Sequence, residues 1–249
     1  MIDERIAARR RAVRESRRRV RLRRTVTMAS LLVVALVLAA IERSALLALE
    51  TVEVRGVERL SEADVLASAA LDLGTSSLRL RLGRAEERVR DLVLVDDVDA
   101  RRTGPRTVRI VVAERRPALV VSGGGVERLL DREGRVIDEG EVDGLPIVRL
   151  RSRPPAVGES VALDPALANA YVAWRGLSGP LRVRVQRLDA RSERDLVLWV
   201  DGLVQVRFGR AERIDEKVRA LGTILGDLAG ADVAVIDVRS PTAPVVVPR

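Results

Sequence analysis

Cysteine and histidine are both absent from the 249 residues. Without cysteine there are no disulfides and no thiolate nucleophile. Without histidine as well, the commonest zinc and haem sites and the Ser-His and Cys-His catalytic pairs are excluded. Any exported part must therefore stand on its own hydrophobic core. Aromatic residues make up only 2% of the chain, a poor supply for a surface that stacks sugars or bases. Lysine occurs once, at Lys217. No Ser-x-x-Lys accompanies it, and it is expected on the polar side of an amphipathic helix. The carboxylate pairs Asp131 with Glu133 and Asp138 with Glu139 fall in and beside a turn, where a solvated face explains them. Ser122-Gly-Gly-Gly125 is not followed by the Gly-Lys-Thr of a phosphate cradle and reads as a flexible connection between strands. The chain is therefore read as non-catalytic, with no cofactor, no metal site and no small-molecule substrate.

Arginine is abundant and unevenly placed. The first 25 residues hold eleven arginines against three acids, a net +8 that equals the formal charge of the whole chain. The remainder is neutral, so the pI near 11.1 belongs to this arm. Nucleic-acid binding is not expected, because the arm lacks aromatics and contact with anionic lipid already accounts for its charge. Thr25–Ile41 follows without a charge, and after Glu42 and Arg43 the apolar character resumes to Leu46. At about 1.5 Å per residue this spans a hydrocarbon core of roughly 30 Å, so residues 26–46 read as a single transmembrane helix. The run is longer than the 7–15 residues or so of a signal-peptide core. Arginines on its N-terminal side predict a cytoplasmic arm over residues 1–25 and an extracytoplasmic remainder.

The exported chain reads first as strand, helix, helix, strand, strand. Thr51-Val-Glu-Val-Arg-Gly56 alternates. Ser61-Glu-Ala-Asp64 looks like a helix start, and Ala85, Val89 and Leu92 recur at helical spacing. Two strands, about 97–102 and 107–114, flank a Thr-Gly-Pro-Arg turn. Beyond Pro117 short strands dominate: 126–130 and 135–137 around Asp131-Arg-Glu-Gly134, then 145–148, and a helix from Pro165 to Trp174. Strands 196–200 and 203–208 flank Asp201-Gly202, which tolerates the positive φ of a two-residue turn. An apolar stripe of Ile214, Val218, Leu221, Leu225 and Leu228 marks a helix over 211–228, and strands 233–239 and 244–247 close the chain. Glu114–Pro117 and Arg151–Pro155 are the candidate linkers. In Pro241–Arg249 three prolines bracket three consecutive valines. A terminal strand of this kind, at a sheet edge, can template a strand from another protein.

The order of these segments resembles the bacterial cell-division FtsQ/DivIB family. The matching residues are Val52-Glu-Val-Arg-Gly56, Val108-Arg-Ile-Val-Val-Ala-Glu-Arg-Arg-Pro117, Leu130-Asp-Arg-Glu-Gly-Arg-Val136, Leu145-Pro-Ile147, Val206-Arg-Phe-Gly209 before the helix bearing Lys217, and Val235-Ile-Asp-Val-Arg239. Departures from the family pattern are Leu94-Val95 in place of Leu-Pro, and a last strand without aromatics. The resemblance implies an α+β POTRA domain (β-α-α-β-β) over 50–118 and a mixed, mostly antiparallel β domain with flanking helices over 119–249. It also implies a scaffold of the division machinery, in the plasma membrane and at the septum, that links early and late division proteins. Its implied partners are the FtsB/FtsL (DivIC/FtsL) coiled-coil pair and other membrane division proteins. By position, the implied contact residues are Ser240, Thr242, Val245, Val246 and Val247, with Arg194 as a further candidate. The competing expectation is a POTRA-containing envelope protein that holds or delivers other polypeptides.

Overall fold

The computed structural model describes residues 24, 26–37, 40, 47–227 and 233–249. Most of the basic arm and much of the expected 26–46 span thus lie outside the described residues. Residues 26–37 are helical with exposed apolar side chains, among them Leu31, Leu32 and Leu36. Among the described residues no helix is long and apolar enough to cross a membrane. The chain divides into two compact units, Met1–Val89 with Asp97–Val112, and Arg90–Asp96 with Ala113–Arg249.

The first unit follows the expected element order: strand β1 (Thr51–Arg55), helices α1 (Glu62–Ala69) and α2 (Leu82–Arg90), then strands β2 (Val95–Arg102) and β3 (Thr107–Glu114). Ser61 Oγ accepts from the amide of Asp64 at 3.1 Å, satisfying a free donor at the α1 N-terminus. The sheet order is β1-β3-β2, with β1 parallel to β3. Val54, Val108, Ile110 and Val112 on the sheet are buried, as are Val65, Ala69, Ala85 and Val89 on the helices. After β1 the chain turns away at Gly56 with φ +83°, where a Cβ would lie 2.2 Å from the Val112 carbonyl oxygen, so only glycine fits.

The second unit is built on one nine-stranded sheet. To β4 (Pro117–Gly123), β5 (Val126–Asp131), β6 (Val136–Glu139) and β7 (Ile147–Leu150) it adds β8 (Val185–Ser192), β9 (Asp195–Val200), β10 (Val204–Arg207), β11 (Val233–Asp237) and β12 (Val245–Pro248). Their spatial order is β12-β11-β10-β9-β8-β7-β4-β5-β6. Three pairings are parallel, β4 with β7, β7 with β8 and β10 with β11, and the other five are antiparallel. Helices α3 (Pro165–Gly176), α4 (Gly179–Arg184) and α5 (Ile214–Asp227) contribute Leu167, Tyr171, Trp174, Leu181 and Leu221 to the main core. The α3 start is set by Asp164, which accepts from Leu167 N at 2.9 Å ahead of a proline in the first turn.

At the β6 end a second small cluster of Val120, Leu129 and Ile137, joined by Leu94 and Ile147, covers the opposite sheet face. Segment 90–96 belongs to this unit through Leu94. Its carbonyl accepts from Arg115 N at 2.8 Å, and Asp96 pairs with the Arg115 guanidinium at 3.4 Å.

Several sequence expectations are corrected. The 122–125 segment does connect two strands, and it is a tight hairpin in which Gly123 ends β4 and Val126 starts β5. Strands β4 and β8 and helix α4 were not expected, and α5 begins at Ile214 instead of 211. The Asp201-Gly202 loop has three residues, because β10 starts at Val204 opposite Val200. Its first two residues, Asp201 and Gly202, take positive φ, 51° and 74°.

Asp131 is the sharpest of these corrections. It is 1% exposed, not solvated. Its carboxylate accepts from Glu133 N at 3.0 Å, Arg135 N at 2.7 Å and Arg115 Nη1 at 2.9 Å. Replacing Asp131 by asparagine keeps an acceptor for the turn amides and removes the charge that faces Arg115. The expected cost is about 1–2 kcal/mol in urea denaturation, with m unchanged.

Candidate functional site at the β12 edge

The cross-strand register ties the last strand to the core. Leu188, Leu198, Val206 and Ile236 form a row across β8 to β11 in which each side chain is 0% exposed. Val246 continues that row on β12 and is 37% exposed. Side chains alternate along a strand, so the neighbouring rows lie on the other face. One runs Arg187, Trp199, Gln205, Val235, Val247. The other runs Asp189, Val197, Arg207, Asp237, Val245.

The Trp199 indole is held by Asp189, which accepts from Nε1 at 2.7 Å, and the Arg187 guanidinium lies 4.1 Å from the ring centre. Val245 and Val247, 56% and 46% exposed, thus end two ordered rows on the less covered face. Among the described residues strand β12 pairs with β11 alone, so its other side presents backbone groups without a strand partner there.

The turn into β12 is also fixed. Arg239 grips Asp237 with Nε 3.0 Å from each carboxylate oxygen and Nη2 2.6 Å from Oδ2. Hydrogen bonding to Arg239, in spite of some burial, holds the Asp237 carboxyl below its usual pKa, and the same contact raises that of Arg239. Pro241 is buried within the turn, and Ala243 N donates to Ser240 O at 3.1 Å. Ser240 and Thr242 are exposed on this turn.

Arg194 lies in the β8–β9 turn, separated from β12 by β10 and β11, where its Nε pairs with Glu193 at 3.0 Å. The structure brings it to the same end of the sheet as Arg239 but not to the valines. The two meet around Gly209 (φ +69°), where a Cβ would lie 3.1 Å from Arg239 Cγ and 3.6 Å from the Arg194 carbonyl.

The approach to α5 is clamped by Lys217, which the sequence placed on a polar face, and by Asn169, which it did not single out. Lys217 is 4% exposed, not on a polar face. Its Nζ donates to Phe208 O at 2.9 Å and Arg210 O at 2.7 Å, and sits 4.9 Å from the Phe208 ring centre. Burial lowers its pKa, Arg213 adds to the effect, and Glu212 and Asp237 oppose it. From α3, Asn169 Nδ2 donates to Gly209 O at 3.1 Å and Oδ1 accepts from Ala211 N at 2.7 Å. Asp237 and Arg239 could have been marked from their spacing of two, which puts both on one strand face. Nothing in the local sequence signals Asn169. Among the described residues no group of three or more acidic side chains is placed to hold a metal ion.

A β-α-α-β-β unit followed by this mixed sheet with flanking helices is the architecture of a POTRA-containing division protein. Residues 47–115 match the POTRA domain, FtsQ-type, and residues 118–239 match the cell division protein FtsQ/DivIB C-terminal domain. The chain belongs to the FtsQ/DivIB family of cell division proteins. It is 33% identical over 199 residues to Cell division protein FtsQ of Chloroflexus aggregans, covering 76% of this chain and 70% of that one. Against FtsQ of Streptomyces griseus the identity is 32% over 209 residues, 82% of this chain and 98% of the relative. The FtsQ of Caulobacter vibrioides is 29% identical over 203 residues, 81% and 64% of the two chains. The C-terminal family match ends at Arg239, just before the turn into β12.

Proposed function

We propose that this protein is a non-catalytic scaffold of the division machinery, held in the plasma membrane by one helix over about residues 26–46, with its arm cytoplasmic and both folded units outside. The edge of β12 is the proposed docking site for an FtsB/FtsL (DivIC/FtsL)-type complex. A strand from the FtsB-like partner would add beside Val245–Val247, and Ser240 and Thr242 would flank it. The observation that carries this reading is the free side of β12 in a chain of the FtsQ/DivIB family. Strand addition supplies affinity through backbone hydrogen bonds, and specificity through the alternate side chains on the sheet face. Arg194 would act at the margin, through the sheet end it shares with Arg239.

Fluorescent fusion and depletion in the host test the division role. Midcell recruitment, with filamentation as the protein is depleted, is the expected result. A diffuse envelope signal with normal septa would reject it. The competing reading, a POTRA unit that holds other polypeptides, draws on β1, an edge strand in the three-stranded sheet. It predicts that residues 47–115 alone retain the partner.

A further inference from the structure

In the first unit, the end that receives the chain at Leu47 carries exposed leucines and arginines together. Leu49 N donates to Thr75 O and Gly74 N to Leu49 O, both at 2.8 Å, and Ala48 bridges Ser76. Ser77 Oγ donates to Pro105 O at 2.6 Å, while Arg102 reaches Ser77 O at 2.7 Å and Leu80 O at 2.8 Å. Arg106 pairs with Glu50. Segments 47–50, 73–80 and 102–106 are thereby fastened into one layer. From this layer Leu73 and Leu78 stand 66% and 62% exposed. Exposed leucines on one fastened layer are the kind of side chain that a bilayer interface accepts. The same and adjoining segments carry Arg79, Arg81, Arg102 and Arg106, against the acids Glu50 and Asp72.

We propose that this end of the POTRA unit rests on the outer leaflet, with Leu73 and Leu78 entering the headgroup boundary and the arginines meeting anionic lipid phosphates. The occupant follows from charge complementarity and from chain continuity. Only residues 38–46 separate the exposed apolar helix of 26–37 from Leu47, so this end cannot travel far from wherever that helix is embedded. The inference rests on the single-helix anchor proposed above. Its consequence is that the unit is held flat to the membrane instead of swinging on its tether.

The absence of cysteine makes the test direct, since one introduced thiol is the only thiol. Full-length Leu73→Cys, Leu78→Cys and, for comparison, Ala63→Cys carry an environment-sensitive fluorophore in vesicles. Ala63 is exposed in the first turn of α1, at the opposite end of the five-residue β1 and about 15 Å away. In phosphatidylglycerol–phosphatidylcholine vesicles, positions 73 and 78 should be blue-shifted and quenched by brominated lipid, and position 63 should not. Pure phosphatidylcholine or high salt should weaken the effect. Each of Arg79→Gln and Arg81→Gln should lower the shielded fraction's equilibrium constant by about fivefold. Fluorophores at 73 and 78 as solvent-exposed as at 63 in anionic vesicles would overturn the proposal. Shielding that ignores lipid charge and scales with protein density would also overturn it, since copies would then be covering the leucines. Extraction of the protein at alkaline pH reports on the anchor separately. A chain retained in the vesicles with exposed fluorophores refutes the docking alone, and one washed off refutes the anchor and the docking with it.

Discussion

Lys217→Ala is expected to destabilise the second unit by about 3 kcal/mol, because it leaves the carbonyls of Phe208 and Arg210 without their donor and empties the space of the lysine stem. Both bonds are charge-assisted and short, 2.9 and 2.7 Å, and the ammonium also faces the Phe208 ring. Lys217→Met refills the stem volume and removes the cost of burying a charge, so its loss should be smaller, about 1–2 kcal/mol. Urea denaturation read by circular dichroism gives both values. The two variants also separate packing from charge by their pH dependence.

In the folded chain the Lys217 pKa is lowered, first by burial and then by Arg213. In the window between that depressed value and the ordinary lysine value, the unfolded chain holds the proton and the folded chain does not. Stability therefore rises with pH across this window, and the cost of the buried charge is fully present below it. The difference between wild type and Lys217→Met should show that slope, while Lys217→Met against Lys217→Ala should be flat with pH. A wild-type difference that is also flat would mean the ammonium is not desolvated as its burial implies.

The same lysine shows where sequence reasoning reached and where it stopped. The α5 stripe was legible because Ile214, Val218 and Leu221 recur at i, i+4 and i+7. Lys217 is three residues past Ile214 and one turn before Leu221, which puts it on that buried face. Its charge argued for solvent, and the carbonyls that receive it come from the chain leaving β10, which helix periodicity cannot reveal. Asp131 was misplaced for the same reason: its partners are two turn amides and the distant Arg115.

Strand β4 escaped notice because Leu119, Val120 and Val121 are buried on both sheet faces, which erases the alternation that marks a half-exposed strand. The β9–β10 hairpin was plain from Asp201-Gly202, and β12 from its valines. What could not be read was the order of strands. The parallel pairing of β10 with β11 across α5 is a tertiary fact, and it is this pairing that leaves β12 outermost. The family resemblance supplied the architecture, and the register supplied which valine points where.

That register sharpens the second large effect, on partner binding. Removing Pro241–Arg249 should abolish capture of the FtsB-like partner, with affinity falling at least about 100-fold, because the whole template strand is lost. The deletion uncovers β11, so single substitutions are the more discriminating measurement. Along an antiparallel edge strand successive N–H groups point alternately to the neighbour and to the open side. Proline at each of Val245, Val246 and Val247 should therefore give two distinct outcomes. Where the N–H faces outward, the fold is kept and binding weakens by about tenfold, the loss of one hydrogen bond to the added strand. Where it faces β11, the denaturation midpoint drops as well.

Side chains give an independent reading. Val245→Asp and Val247→Asp place a charge on the less covered face, beside Asp237 or Val235, where an added strand would bury it. Each should weaken binding while sparing stability. Val246→Asp instead places a charge at the end of the core row of Leu188, Leu198, Val206 and Ile236, and should lower both. If a folded Pro241–Arg249 deletion captured the partner with wild-type affinity in calorimetry, strand addition at β12 would be excluded. The partner would then have to be sought on another edge, of which β6 in the same sheet and β1 and β2 in the first unit are the candidates.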